Sequence, residues 1–282
     1  MDQGLLSDLP RGAVIVGVDG SPPAERALDH AAAQAAQERR PLVVAAAREW
    51  EKHGAEAITA DAAGRAITAH PGLSVTTLVD DGDPRLLFLD LSRHAHLLVL
   101  GSRGRGPVRS LLLGSVSATT ARITECPLHV VRPRDERDPA EGSRAGVLVA
   151  ADGAPESRPV LEHAFAQAEL LGVPLHVVHW AWDAAAALSG TDRLRVADTE
   201  ELSLLLAEGI AGLSEKHPDV SVTLGARHGL VDAALAADSA RWDLVVVGRH
   251  PLDSLARLVT GSVATAVLER AHTTVAVVPI GR

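Results

Sequence analysis

The stretch Gly101-Ser102-Arg103-Gly104-Arg105-Gly106 holds three glycines and two arginines within six residues. Such glycines let a backbone turn sharply and come close to a ligand. Nine residues separate Gly104 from Gly114-Ser115-Val116-Ser117, which opens a segment of helical pattern. A helix start offers N–H groups and the positive end of the helix dipole, so it attracts anions. Ser115 and Ser117 add hydroxyls, and Arg103, Arg105 and Arg109 add charge suited to phosphate oxygens. This is chemistry for holding a phosphorylated ligand. A solvated loop with a serine cap is the plainer alternative, and glycines on both sides of a spaced loop weigh against it. Asp19, in Val18-Asp19-Gly20-Ser21, is a second candidate, able to accept hydrogen bonds from a base or a ribose. Taken alone it reads better as an Asx-turn or helix cap.

These residues need elements that deliver them to one place. Residues 13–18, 42–47, 97–100 and 128–131 read as short apolar strands, and 75–79, which alternates more weakly, as a fifth. Residues 24–37, 84–94 and 115–124 carry helix formers at helical spacing, with Pro84 in a first turn. Apolar strands separated by helices predict a parallel sheet covered on both faces. In such sheets ligands sit beyond the carboxyl ends of the strands, where the strand order reverses. Both candidate motifs fall just after a strand.

The whole pattern occurs twice. Asp19-Gly20 returns as Asp152-Gly153, and Leu28-Asp29-His30-Ala31 as Leu161-Glu162-His163-Ala164, both at an offset of 133 residues. His70-Pro71, Gly101 and Gly114-Ser115-Val116 return as His217-Pro218, Gly248 and Gly261-Ser262-Val263, at an offset of 147. One insertion between the second and third strands of copy two, within residues 183–195, accounts for the change. Residues 147–150, 175–179, 220–224, 244–247 and 275–278 are the matching strands. The expected organisation is a domain over residues 1–133, a charged Pro/Gly linker over 134–144 and a second domain over 145–282.

Composition narrows the function. Apolar residues make up 46% of 282 residues, which indicates globular domains, and the net charge of −9 argues against non-specific binding to nucleic acid or anionic membranes. Aromatics are 2%, too few for base-stacking platforms. The single cysteine, Cys126, rules out an intrachain disulfide and thiolate zinc sites, and it reads as a buried small residue in a reducing cytoplasm. Residues 1–10 do not read as a signal peptide, and no apolar run approaches the ~20 residues needed to span a bilayer. The histidines do not cluster at metal-ligand spacings. His94, His96, His176 and His179 read as structural, and Trp50, Trp180, Trp182 and Trp242 as core or interface anchors.

Gly101-x2-Gly104-x9-Gly114-Ser115, with Asp19 after the first strand, resembles the ATP-binding signature of universal stress proteins. The resemblance covers nearly the whole chain in two copies. It implies tandem Rossmann-like α/β domains of the adenine nucleotide alpha hydrolase-like type, each a five-stranded parallel sheet in the order 3-2-1-4-5 flanked by helices. It implies that Asp19 contacts adenine or ribose, and that the backbone at Ala47 meets the adenine. Gly101, Arg103 and Gly104 would line ribose and phosphates, and Gly114, Ser115, Val116 and Ser117 would bind phosphates. ATP is the implied cofactor, plausibly with Mg²⁺, and AMP or another adenine nucleotide is an alternative. A homodimer is the implied assembly.

In copy two the corresponding residues are Asp152, Trp180, Gly248, His250, Gly261, Ser262 and Val263. Pro251 replaces the second glycine, Ala264 replaces Ser117, and His250 replaces Arg103. Proline has no N–H to donate and a fixed φ. Each lost charge-assisted bond costs about 1.5–3 kcal/mol, so copy two is expected to bind ATP weakly, to bind another adenosine compound, or to be chiefly structural. The function expected is a nucleotide-dependent sensor or regulator of the stress response. A slow ATP hydrolase and a module for which nucleotide is vestigial are the alternatives. The chain lacks a Walker loop, a Ser-Gly-Gly-x-Asp-Ser loop after the first strand, and an evident general base. It is therefore not expected to be an enzyme.

Overall fold

The computed structural model describes residues 9–48, 54–104, 113–133, 144–151, 153–181, 196–228, 235, 239–250 and 263–280. The chain divides into two compact units, Met1–Pro133 and Arg134–Arg282.

In the first unit β1 (Val14–Gly17), α1 (Pro22–Gln37), β2 (Leu42–Ala47), α2 (Ala55–Ala69), β3 (Val75–Asp80), α3 (Pro84–Ser92), β4 (Leu97–Gly101), α4 (Ser115–Ile123) and β5 (Leu128–Val131) follow one another. The strands are parallel in the order β3-β2-β1-β4-β5. Strand order therefore reverses between β1 and β4, and the turns that follow these two strands lie side by side. The register is Val14↔Leu97, Ile15↔Leu98 and Val16↔Val99, so both strands reach the same carboxyl edge.

Alternation along each strand feeds two cores. Val14, Val16, Leu42, Val44, Leu97 and Val99 pack against Ala27, Leu28 and Ala31 of α1 and Ala62 and Ala66 of α2. The small alanines of α1 bring that helix close to the sheet. Ile15, Val43, Leu98, Leu100, Leu128 and Val130 are also fully or almost fully buried and point to the other face, with Leu87, Phe88 and Leu91 of α3 buried too. Gly17 lies under Phe88 and Leu100, where a Cβ would come within 2.5 Å of both side chains. Each fully buried leucine contributes about 1.5–3 kcal/mol.

The second unit repeats the plan with β6 (Val147–Ala150), α5 (Arg158–Leu171), β7 (Leu175–Ala181), α6 (Val196–Lys216), β8 (Val222–His228), β9 (Leu244–Arg249), α7 (Val263–Arg270) and β10 (Val275–Pro279). Its order is β8-β7-β6-β9-β10. The α/β class, the parallel sheets and the order 3-2-1-4-5 thus appear in both units. Three strand runs expected from sequence, 42–47, 128–131 and 147–150, coincide with observed strands, and the others differ by one to four residues at an end. Helix α2 lacked its own sequence signal: its residues are largely alanine with polar residues on all sides, and Gly64 interrupts it. The insertion expected within residues 183–195 lies outside the described residues. Among the described residues no helix is long and apolar enough to cross a membrane.

A part-buried polar pair joins α1 to β5 at the first core. His30 of α1 and His129 of β5 approach at 2.9 Å between Nε2 and Nδ1, with ring centroids 5.2 Å apart. Desolvation holds the His30 imidazole down to about 4, against an ordinary value of 6.5. The native state keeps it neutral where an unfolded chain would take a proton. Stability from this pair is therefore complete above pH 6.5 and is lost as pH falls through the window down to about 4. Denaturant midpoints measured between pH 7 and pH 4.5 should fall across that window, and His30→Gln should flatten the fall.

Candidate functional site

The turn after β1 begins the site. The Ser21 N–H donates to Asp19 Oδ1 at 3.0 Å, and Gly20 takes φ +72°. That is an Asx-turn, and it requires the left-handed conformation that glycine adopts without strain. The Ser21 hydroxyl then caps α1 by accepting from the Ala24 N–H at 3.4 Å. The turn fixes one oxygen of Asp19, while the other faces Gly104, where a Cβ would come within 2.5 Å of Asp19 Oδ2. The local role of Asp19 and its place in a larger site are thus compatible. Asp19 is half-buried and Gly104 is exposed.

The loop after β4 is held from both sides. Gly101 lies against the first turn of α1, where a Cβ would sit 2.8 Å from the Pro23 carbonyl. The Ser102 N–H donates to the Val131 carbonyl at 2.9 Å, which extends the β4–β5 ladder by one rung. The Gly114 N–H donates to the Ser102 carbonyl at 2.8 Å, so the start of α4 returns onto the glycine stretch. A Cβ at Gly114 would meet Arg103 Cα at 3.4 Å. The structure therefore brings Asp19, Gly101, Arg103, Gly104 and Gly114 to one carboxyl edge. Ala47 ends β2 on the same edge and is half-buried.

Helix α4 begins at Ser115 with no side-chain cap, so the N–H groups of its first turn are available. Ser115 is exposed, Val116 is half-buried, and Ser117 is buried. The Ser117 hydroxyl donates to the Gly101 carbonyl at 2.6 Å. Ser117 was expected from sequence to offer its hydroxyl to phosphate. In the fold that proton ties α4 to the end of β4, and what Ser117 offers to a ligand is its backbone N–H. Arg105, Arg109 and the rest of 105–112 lie outside the described residues.

Two further residues carry charge at this edge and were not singled out by the sequence. Arg132 follows β5 and is buried, and burial together with the neighbouring Arg103 charge lowers its guanidinium to about 10. Arg48 follows β2 and bonds both Glu56 of α2 and Asp81 beyond β3, tying three elements at the rim. These bonds raise Arg48 above its ordinary value and hold Glu56 below its own. Neither residue belongs to a motif. Their position just after a strand is the only signal.

Copy two is built on the same edge with a different cover. Gly153 takes φ +76°, as Gly20 does, but it is half-buried where Gly20 is exposed. Helix α6 lies over it: a Cβ at Gly153 would meet Leu205 at 3.1 Å, and one at Gly209 would meet the Gly153 carbonyl at 3.3 Å. Gly248 faces Ile280 and Val160. Val263 begins the described part of α7, and Ala264 is buried where Ser117 makes its bond in copy one. His250 is half-buried, and the Trp180 backbone pairs with Arg227. Asp152, Pro251, Gly261, Ser262 and the Trp180 side chain lie outside the described residues.

The other polar candidates stay away from this edge. Cys126 is buried, and its thiol is pushed up to about 11 by desolvation. His96 pairs with Glu38 at 3.1 Å, and His176 stacks edge-on to Trp242. No group of three or more His, Cys, Asp or Glu suited to a metal ion occurs among the described residues.

A family model for the universal stress protein family matches residues 11–132 and again 146–279. A universal stress protein of Mycobacterium tuberculosis is 35% identical over 285 residues, covering 94% of this chain and 96% of that protein. One from Mycolicibacterium smegmatis is 29% identical, with the same coverage of 94% and 96%. The crystal structure of a universal stress protein from Archaeoglobus fulgidus shares the fold at TM-score 0.68 and 20% identity, covering 95% of this chain and 96% of that one.

The glycines differ in what they can tolerate. Gly101→Ala would drive a Cβ into the Pro23 backbone and should cost about 1–3 kcal/mol in urea unfolding. Gly114→Ala meets only ordinary contacts in an extended backbone conformation and should melt within about 0.5 kcal/mol of the parent.

Proposed function

The chain belongs to the universal stress protein family, and from that premise we propose that its first copy binds ATP and uses it as a regulatory ligand in the stress response. The observation that carries this reading is the convergence at one carboxyl edge of the Asp19 carboxylate, the Gly101–Gly104 backbone and the uncapped start of α4. Asp19 Oδ2 stands at the β1 side, suited to accept from a ribose hydroxyl or an adenine amine. The N–H groups of Ser115, Val116 and Ser117 stand at the β4 side, suited to phosphate oxygens. Gly101, Gly104 and Gly114 bring no side chain of their own to this edge. A divalent ion would enter with the phosphates, held chiefly by them.

The protein is proposed as a binder rather than an enzyme. Asp19 is engaged by its Asx-turn, and the sequence carries neither a Walker loop nor a Ser-Gly-Gly-x-Asp-Ser loop after the first strand. A nucleotide would act through differential affinity for two states of the protein. Copy two is proposed to bind nucleotide weakly or not at all. Pro251 and His250 remove an N–H and a permanent charge, and α6 lies over Gly153.

Protein purified without added nucleotide should release about one ATP per chain on heating, quantified by chromatography. Gly114→Ala should retain its fold and lose the nucleotide. Two nucleotides per chain would overturn the reading of copy two, and turnover of ATP would overturn the non-enzymatic one. No nucleotide and no binding on titration would leave an interaction module. Gly104→Ala should displace the Asp19 carboxylate and weaken ATP by about tenfold in calorimetry, with little change in melting temperature.

A further inference from the structure

We infer that Arg48 is a positioning residue of the first copy's nucleotide site, holding the rim on which the base of the ligand rests. The inference rests on the nucleotide reading above and extends it to the end of the site that the glycine signature does not reach.

The strand order places that end. In the reading above the phosphates lie at the start of α4, after β4, and the ribose or base meets Asp19, after β1. The sheet continues from β4 through β1 to β2 and β3. A nucleotide laid across the edge from β4 past β1 therefore points its base at the end of β2. Ala47 is the last residue of β2, pairs with Asp80 of β3, and is followed directly by Arg48.

Arg48 ties together the elements around that end. Its Nε donates to Glu56 Oε1 at 2.8 Å, Nη2 donates to the same oxygen, and Nη1 donates to Asp81 Oδ1. Glu56 lies in the first turn of α2, and Asp81 follows β3. One planar guanidinium thus spans the end of β2, the start of α2 and the turn after β3, its donors directed by a rigid fork. These are surface bonds: the side chains of Arg48, Glu56 and Asp81 are 35%, 57% and 78% exposed. Such pairs add little to stability. What they restrict is the relative placement of three backbones.

Copy two shows that the fold does not need this clip. By the repeat and by strand register, Ala181 and His228 stand where Arg48 and Asp81 do, and by the repeat Ser203 stands where Glu56 does. Strands β7 and β8 still pair, through Ala181↔His228, and α6 still packs on them through Leu206, Ile210 and Leu213. There α6 has 21 residues against 15 in α2, and it lies over Gly153, whereas Gly20 is exposed in copy one. The copy that carries the clip is the copy whose edge is open.

The test uses nucleotide-stripped full-length protein and calorimetric affinities for ATP and inorganic tripolyphosphate. The ratio of the two isolates the contribution of the adenosine end. Arg48→Gln should weaken ATP about threefold to tenfold, leave tripolyphosphate unchanged and barely move the ligand-free melting temperature. Glu56→Gln, which keeps the arginine, should lower the ratio as well, and Arg48→Lys should restore part of it. The parent's ratio should fall as salt is raised to about 1 M, because the exposed clip is screened, and that of Arg48→Gln should not. An unchanged ratio in Arg48→Gln would overturn the proposal. So would equal losses of both ligands with a lowered melting temperature, which would make the clip a structural tie alone. A loss in Arg48→Gln with none in Glu56→Gln would also overturn it, by making Arg48 a direct contact. If the parent binds ATP no better than tripolyphosphate, the nucleotide reading falls and the role of Arg48 falls with it.

Discussion

The first unit depends on a close approach that side chains would prevent. Where β1 and β4 end, the turn into α1 and the loop after β4 occupy nearly the same volume. Gly101 leaves room for the Pro23 backbone, and Gly104 leaves room for the Asp19 carboxylate. Two hydrogen bonds then join the end of β5 to the glycine loop and the loop to the start of α4. Because interiors are close-packed, a missing Cβ at these points decides which backbones can touch. An aspartate from one strand and helix N–H groups from beyond another thereby share one edge.

Charge follows from this packing. The edge collects the start of α4, the exposed Arg103, the buried Arg132 and the half-buried Asp19 carboxylate. The chain as a whole is acidic, with a net charge of −9, so this gathering of arginines is the work of the fold and is not visible in the composition. Ser117 shows the same dependence. Its hydroxyl suited a phosphate contact on paper, but burial at the β4–α4 junction gave it a backbone carbonyl instead.

The two copies share one scaffold and differ above it. Strand order, parallel pairing and the left-handed glycine after the first strand are common to both. What differs lies above the sheet. Helix α6 comes down on Gly153 through Gly209 and Leu205, whereas Gly20 is open. The Ser117 bond has no counterpart at Ala264. Stability needs the cores, which both copies keep. The carboxyl edges differ in what covers the glycine after the first strand.

Sequence by itself determined the repeat, the α/β class and the positions of the strands, because apolar runs of four to six residues between helical segments leave few other ways to bury their surface. It also marked the glycine stretch and Asp19, since spacing after a strand end is a local property. Helix α2 escaped it because alanines and scattered polar residues carry little periodic signal. Arg132 and Arg48 escaped it because nothing in their neighbours announces a site. Only the tertiary structure decided that Arg132 is buried beside Arg103, that Arg48 joins α2 to the β3–α3 turn, and that α6 covers Gly153. Those outcomes rest on contacts between residues far apart in the chain, and such contacts are set by how whole elements pack.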